Sequence, residues 1–346
     1  MKIRLVLAAL GLAALTTQSL QAQEAVANFY KGKNVTVIAG SSAGGGVDIY
    51  ARLIARHLQK HIPGNPNIIV QNMPGAGSLG AARNLYTVAP KDGTSIGVVL
   101  SGSLFDPLMA GQSLDQFDPT KFSFIGNANQ DSIVCVVRRD APIQDYGQVF
   151  EKELIIGGTG PGSSLVDYPI VEKNLLGVKL NLIAGYKGSN EISLAIQQKE
   201  LHGICGLLWS SAKVQYPDIL KPDGFVKVLV QEDAIANPVI AKLGAPLITS
   251  FAKDPQVKKV LDVYFEQGAL SRPFIAPPGI PADRLAALRK AFMETLSDPE
   301  LREDAERQKS DVVPQTGEEV EAAVKRIYAA PTEQMDILRK AATPPK

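Results

Sequence analysis

The 346-residue sequence is poor in the side chains on which most site chemistry is built: two cysteines, three histidines and one tryptophan. It has no CxxC, no HExxH and no Cys/His cluster, so it offers no ligand set for a metal, and no cofactor is expected. An excess of one charge sign is also missing. Thirty-six Lys and Arg against 35 Asp and Glu give a formal net charge of +1, and without a basic run there is no electrostatic footprint for phosphate backbones. Nucleic acid is therefore excluded as a partner. The longest apolar stretch is Leu5 to Leu15, too short at 1.5 Å per residue to span roughly 30 Å of hydrocarbon. Low-complexity linkers and strong repeats are absent as well, which excludes disorder and a coiled coil.

What remains is a chain with 45% apolar residues, enough for the core of one large domain or two medium ones. Lys2 and Arg4 before the Leu5 to Leu15 stretch, then Thr16, Thr17, Gln18, Ser19 and Ala22, have the layout of a secretory signal peptide. Cleavage is expected near Ala22, giving residues 1–22 as the removed segment; Ala25-Val26-Ala27 is the alternative site. Neither is followed by Cys, so no lipid anchor is expected. Loss of Lys2 and Arg4 takes the net charge from +1 to −1 and leaves the protein periplasmic. Cys135 and Cys205 both lie in short apolar runs that read as buried strands. A bridge closing some seventy residues would be worth about 4 kcal/mol, yet two buried thiols are the simpler reading.

Short β-branched runs alternate with helical patterns, as in βα units around a mostly parallel sheet. Val35 to Ala39 reads as a strand, and Val47, Tyr50, Ala51, Ile54 and Leu58 recur at helical spacing up to Pro63-Gly64. Strands follow at 67–71 and 95–100, with a helix between them. A second set runs from the strand at 133–137 through strands at 154–156 and 180–184 and helices at 164–176 and 191–201. Two α/β lobes follow, joined by strands that cross between them, and such a chain can hinge. The C-terminal region reads as helical, and the charged stretch from Asp298 to Asp311, like His57 and His61, reads as solvated surface.

Three strand ends run into glycine-rich loops that open helices, at 40–46, 72–78 and 157–164. A helix's first turn has unpaired N–H groups and about half a positive charge, so such loops suit a carboxylate or phosphate. Two motif matches are decoys. Gly75-x-Gly77-x-x-Gly80 matches a dinucleotide fingerprint, but the next strand ends without an acidic residue to hold a ribose. Gly40-x-Ser42-x-Gly44 matches a nucleophile elbow, but it follows the first strand and no His lies beyond His202.

Phe29-Tyr30-Lys31-Gly32-Lys33, Gly44-Gly45-Gly46-x-Asp48 with Ala51-Arg52, Asn72-x-Pro74-Gly75-Ala76-Gly77 and Ala89-Pro90-x-Asp92-Gly93 together resemble substrate-binding proteins of tripartite tricarboxylate transporters, the Bug family. Gly160-x-Gly162-Ser163, Tyr186-Lys187-Gly188, Ala276-Pro277-x-Gly279-x-Pro281 and Leu296-x-Asp298-Pro299 match that family's later landmarks, so the resemblance spans essentially the whole mature chain.

The resemblance implies a two-lobed, Venus-flytrap periplasmic-binding-protein fold of type II-like α/β architecture, each lobe a mostly parallel sheet flanked by helices. Lobe I would be 28–129 plus 269–346, and lobe II 130–268. It implies a monomer without catalysis that captures a small organic carboxylate, mono- or dicarboxylate and aromatic acids included, and delivers it to a two-component membrane permease. Ser41, Ser42, Ala43, Gly45 and Asp48 would form the first jaw, with Ser101 beside it. Thr159, Gly160, Gly162, Ser163 and Ser164 would form the second. Hydroxyls donate to carboxylate, and bridging water lets one scaffold serve several ligands.

Asp48 can orient a ligand amine or water, or interact with the first-turn N–H groups of its own helix. Trp209 stands between ligand stacking and core packing. Lys187 adds positive potential to the cleft or lies on the surface, and Tyr186 and Asn190 share its loop. Neither jaw contains an arginine. The family's acidic residue in the strand at 203–206 is replaced by Ile204-Cys205 here, a departure that bears on the ligand. The alternatives of different class are a sensory module feeding a membrane kinase and an exported hydrolase using Ser42.

Overall fold

The structure, a computed structural model, describes residues 23–160 and 163–343; the expected signal segment 1–22 and Gly162 of the second jaw lie outside them. Its strands fall where β-branched and apolar residues run together. They are β1 (Asn34–Ala39), β2 (Asn67–Asn72), β3 (Ser95–Val98), β4 (Ser123–Asn127), β5 (Ile133–Arg138), β6 (Leu154–Gly157), β7 (Leu180–Ile183), β8 (Gly203–Leu208), β9 (Val226–Gln231), β10 (Pro273–Ala276) and β11 (Gln315–Thr316).

They make two sheets, one in the order β11-β4-β10-β3-β1-β2 and the other β7-β6-β8-β5-β9. The mostly parallel expectation is corrected: both sheets are mixed. β1 pairs in parallel with β2 and β3, and β6 with β7 and β8. By contrast β10 is antiparallel to β3 and β4, and β5 to β8 and β9. The reason is the chain path. β5 carries the chain into the second sheet and β10 brings it back, so each enters against the direction of its neighbours, where no βα crossover is needed.

Both sheets are covered on both faces, which is why their central strands read as continuous apolar runs rather than alternating ones. In β1, Val35, Val37 and Ala39 enter one core and Ile38 the opposite one. In β5, Ile133, Cys135 and Val137 face one core while Val134 and Val136 face the other. Cys135 and Cys205, expected as thiols, form a disulfide between neighbouring strands β5 and β8. The antiparallel pairing that sets them side by side is a tertiary fact that neither apolar run discloses.

Two further expectations change. The last helix, Thr332–Ala341, drops Met335 and Leu338 into the core of the second sheet beside Val260 and Leu261, although it was assigned with the first lobe. Its apolar face finds an unfilled surface there, across from helix Pro255–Glu266. The stretch after Asp298 is not simply solvated. Lys60 and His61 bond Asp298, and Arg56 and His57 bond Asp304, which fastens helix Pro299–Arg307 to helix Gly46–Leu58. These contacts hold both carboxyls well below their usual range, hydrogen bonds from Lys60 and Arg56 leading.

At the alternative cleavage site, Val26 is buried in the first core, so cutting after Ala27 would remove a core side chain. Among the described residues no helix is long and apolar enough to cross a membrane.

Candidate functional site

A cavity of about 410 Å³ lies between the two sheets, walled by the loops that leave β2, β3, β6 and β8 and by the returning segment before β10. It is the location expected for a ligand in α/β folds, outside the carboxyl ends of strands. Three of the expected residues line it: Ser101, Ser163 and Ser164.

Ser163 caps the 13-residue helix Ser164–Leu176, its Oγ accepting the Leu165 N–H at 3.2 Å. Thr159 lies behind it, with its Oγ1 2.7 Å from Ser163 Oγ. Ser164 Oγ donates to Gly206 O at 2.7 Å, so its proton is committed to the protein and the hydroxyl faces a ligand as an acceptor. Gly206 is required at that point. Its φ is +75°, and a Cβ would lie 2.1 Å from Ser164 O. The second jaw is therefore a braced helix start, whose first-turn N–H groups and dipole favour an anion.

On the other wall stand Ala76 and Gly77, in a turn where Gly75, Ala76, Gly77 and Ser78 all have positive φ. Two of these are not glycine and cost about 1–2 kcal/mol each. Ser78 offsets part of that cost by joining three loop ends. Its Oγ donates to Gly40 O at 2.7 Å and accepts from Leu100 N at 3.1 Å. Sequence reasoning marked this loop as an anion site but left its residues out of the jaws. Strained backbone at a cavity wall is the signal it lacked.

The expected first jaw is organised by Asp48. Its Oδ2 accepts from Gly44 N at 2.8 Å and from Arg52 Nε at 3.0 Å, and its Oδ1 from Asn72 Nδ2 at 2.8 Å. Burial works to raise this carboxyl, but the bonds from Arg52, Gly44 and Asn72 outweigh it and hold it below the usual range. Asp48 is thus a clamp on its own loop, 2% exposed, and does not line the cavity. Ser41 Oγ accepts the Asp48 N–H, and Asn72 Nδ2 donates to Ser41 O. Ser42 and Ala43 lie exposed at the tip, with Gly45 partly covered.

Of the remaining expectations, Gly160 is partly covered beside Thr159, while Lys187 and Asn190 are exposed. The Lys187 N–H donates to Glu191 Oε2. Tyr186 and Trp209 pack with Ile192 and Ile196 in a core of the second lobe. None of these five lines the cavity; the neighbour that does is Ser189.

Arg272 is the residue that loop-by-loop reading missed. It lies on the return crossing, lines the cavity and is only 6% exposed. Its Nη1 donates to Ser271 O at 2.6 Å, its plane sits 5.1 Å from the Tyr50 ring, and its Nε has no partner in the protein. A Cβ on Gly46 would come within 3.0 Å of its Nη2, so the first loop opens onto this guanidinium. Asp131 is the acid that feels it most directly. Burial raises the Asp131 carboxyl, while Ser210 and Arg272 pull it back. A buried guanidinium with an unfilled donor is a fork built for a planar oxyanion.

Among the described residues, no histidine or cysteine lines this cavity. His57 and His61 are bonded to Asp304 and Asp298, and His202 Nδ1 accepts from Ile155 N; none of the three lines the cavity. The cluster of Cys135, Cys205 and Glu232 is closed to metals by the disulfide.

No family model matches the chain. A curated protein of Cupriavidus necator, "UPF0065 protein in gbd 5′ region", is 31% identical over 198 residues, covering 55% of this chain and 56% of that protein. The chain thus matches little more than half the length of that relative. Among solved structures, a TctC solute-binding protein from Polaromonas superposes with a TM-score of 0.67 at 22% identity, over 90% of this chain and 99% of its own. MatC of Rhodopseudomonas palustris, solved with bound malate, gives 0.61 at 21% identity over 88% and 99%. At these identities the likeness establishes a two-lobed binding-protein fold.

Proposed function

We propose that the chain is a Bug-type, TctC-type solute-binding protein, an exported, periplasmic binding protein for a small organic carboxylate. It works as a monomer without catalysis and hands its ligand to a tripartite-type membrane permease. Residues 28–129 with 269–331 form one lobe, and residues 130–268 with the last helix form the other. Closure over the ligand would be selected by its higher affinity for the closed arrangement.

The observation that carries the reading is Arg272. A buried cation with an unpartnered Nε shares one cavity wall with a braced helix N-terminus from the other lobe. Both favour negative charge. The malate held by the structurally similar MatC supports a carboxylate as the class.

The test is a thermal-shift screen of ligand-stripped protein against carboxylates, their amides and cationic compounds. Ligand at a thousand times its dissociation constant adds about 4 kcal/mol to stability. A carboxylate should raise Tm while its amide does not, and Arg272→Gln should abolish the gain. A response to neutral or cationic compounds alone would refute the reading.

A further inference from the structure

The lining of the same cavity narrows the ligand. Arg272, Ser271, Ser101, Ser163 and the first turn of helix Ser164–Leu176 belong to it. The lining also holds a large apolar share, Phe105 and Met109 from helix Gly102–Met109, Leu165, Leu207 and Leu208 from the second lobe, and Tyr264 from helix Pro255–Glu266, with Ser189, Ser211 and Gln267 as neutral polar groups among them. Among the described residues, Arg272 is the single Lys, Arg or His in the lining. The other charged groups in it are acids, Asp106 and Asp167.

These facts count the charges that a ligand can carry. One carboxylate meets the fork and the helix dipole. A second would meet no further cation among the described lining residues and would share the cavity with Asp106, where like charges repel more strongly than in water. A hydrocarbon body, by contrast, would leave water for contact with aromatic, Leu and Met side chains, which is favourable in proportion to the area covered. The volume of about 410 Å³ sits in the lower part of the range for small-molecule pockets, roughly 300–1,000 Å³. It has room for a ring or a branched chain together with bridging water.

We propose that the ligand is an amphipathic monocarboxylate, its carboxylate on Arg272 and its apolar body against the Phe105, Met109, Leu165 and Tyr264 wall. The proposal rests on the carboxylate-binding reading above and separates this chain from the malate-bound fold relative. Asp106 is then a specificity residue, acting by excluding a second negative charge.

The experiment is isothermal titration of ligand-stripped protein with phenylacetate, 4-methylpentanoate, succinate, malate, citrate, phenylacetamide and phenylalanine. The two monocarboxylates should bind about tenfold or more tighter than succinate or malate, since each buried CH₂ is worth about 0.8 kcal/mol. Phenylacetamide should not bind detectably. Asp106→Asn should raise succinate affinity by a larger factor than phenylacetate affinity, and the wild-type ranking alone is decisive should that variant not fold. Tighter binding of succinate, malate or citrate would overturn the monocarboxylate assignment and leave carboxylate binding standing. Tighter binding of phenylalanine than phenylacetate would overturn it in favour of a zwitterion, with its ammonium on the acidic residues. Binding of phenylacetamide without any acid would overturn both readings.

Discussion

Two fully buried glutamates give the most quantitative handle on this molecule. Glu172 and Glu232 are fully covered inside the second lobe. Glu172 Oε2 accepts from Tyr146 Oη at 2.7 Å, and Glu232 Oε2 from Gly206 N at 2.7 Å. Their other oxygens, the two Oε1 atoms, have no donor in the protein. The side chains lie within hydrogen-bonding reach of one another, so a carboxyl proton held between them would satisfy both oxygens. Burial accordingly lifts Glu232 well above its ordinary range and Glu172 from 4.5 to about 7. Asp233, next in the chain, is lifted by burial from 3.8 to about 7, against a hydrogen bond from Ile133 N. The other ionisable groups facing this site, Tyr146, Tyr168, Tyr264 and Asp131, add no cation to it.

Raised carboxyl pKa values fix the sign. Between the unfolded value and about 7 the native state holds more protons than the unfolded one, so stability falls as pH rises. The contribution is fully present below pH 4.5 for Glu172 and is lost through pH 7. At 1.36 kcal/mol per factor of ten, a rise from 4.5 to about 7 corresponds to about 3 kcal/mol. Asp233 adds about 4 kcal/mol over the same window. Glu172→Gln keeps an acceptor for Tyr146 and supplies a permanent donor toward Glu232. Its urea-unfolding free energy should exceed that of wild type by under about 1 kcal/mol at pH 5 and by about 3 kcal/mol at pH 8. A slope in Asp233 should remain. Parallel wild-type and variant curves from pH 5 to pH 8 would show that no proton is bound at the pair, and the reasoning would fail.

Two other perturbations read separate parts of the structure. The Cys135–Cys205 bridge closes a loop with a sequence separation of 70, so the double Ala variant should lose about 4 kcal/mol by the chain-entropy estimate. Thiol titration of unreduced, denatured protein should find none, and two thiols would contradict the bridge. Asp48→Ala leaves the Gly44 N–H, the Arg52 guanidinium and the Asn72 amide without their acceptor. It should cost about 1–3 kcal/mol in denaturant unfolding and weaken carboxylate affinity by loosening the loop at Arg272. Unchanged affinity alongside the stability loss would remove that loop from the site.

What was legible in the sequence was what is local. Runs such as Val35 to Ala39 and Ile133 to Val137 announced strands because they are buried on both faces. Gly40 to Gly46 and Gly157 to Ser164 announced loops because glycine, serine and a following helical period lie within a few residues of one another. The role of Asp48 was half legible, since Gly44 and Arg52 lie four residues to either side; Asn72, its third partner, comes from another strand. The rest depends on long-range placement. Arg272 sits between Ser271 and Pro273 with nothing local to mark it. It becomes a cavity wall only because Asn127, wholly buried, ties the two crossings together. Asn127 donates to Asn129 O and Ala269 O and accepts the Arg272 N–H. The cation that most narrows the ligand is therefore positioned by the crossing strands and not by either glycine-rich jaw. Ligand choice and hinge geometry thus reside in the same few residues, and a substitution at the crossing that altered closure would shift the charge that the cavity presents.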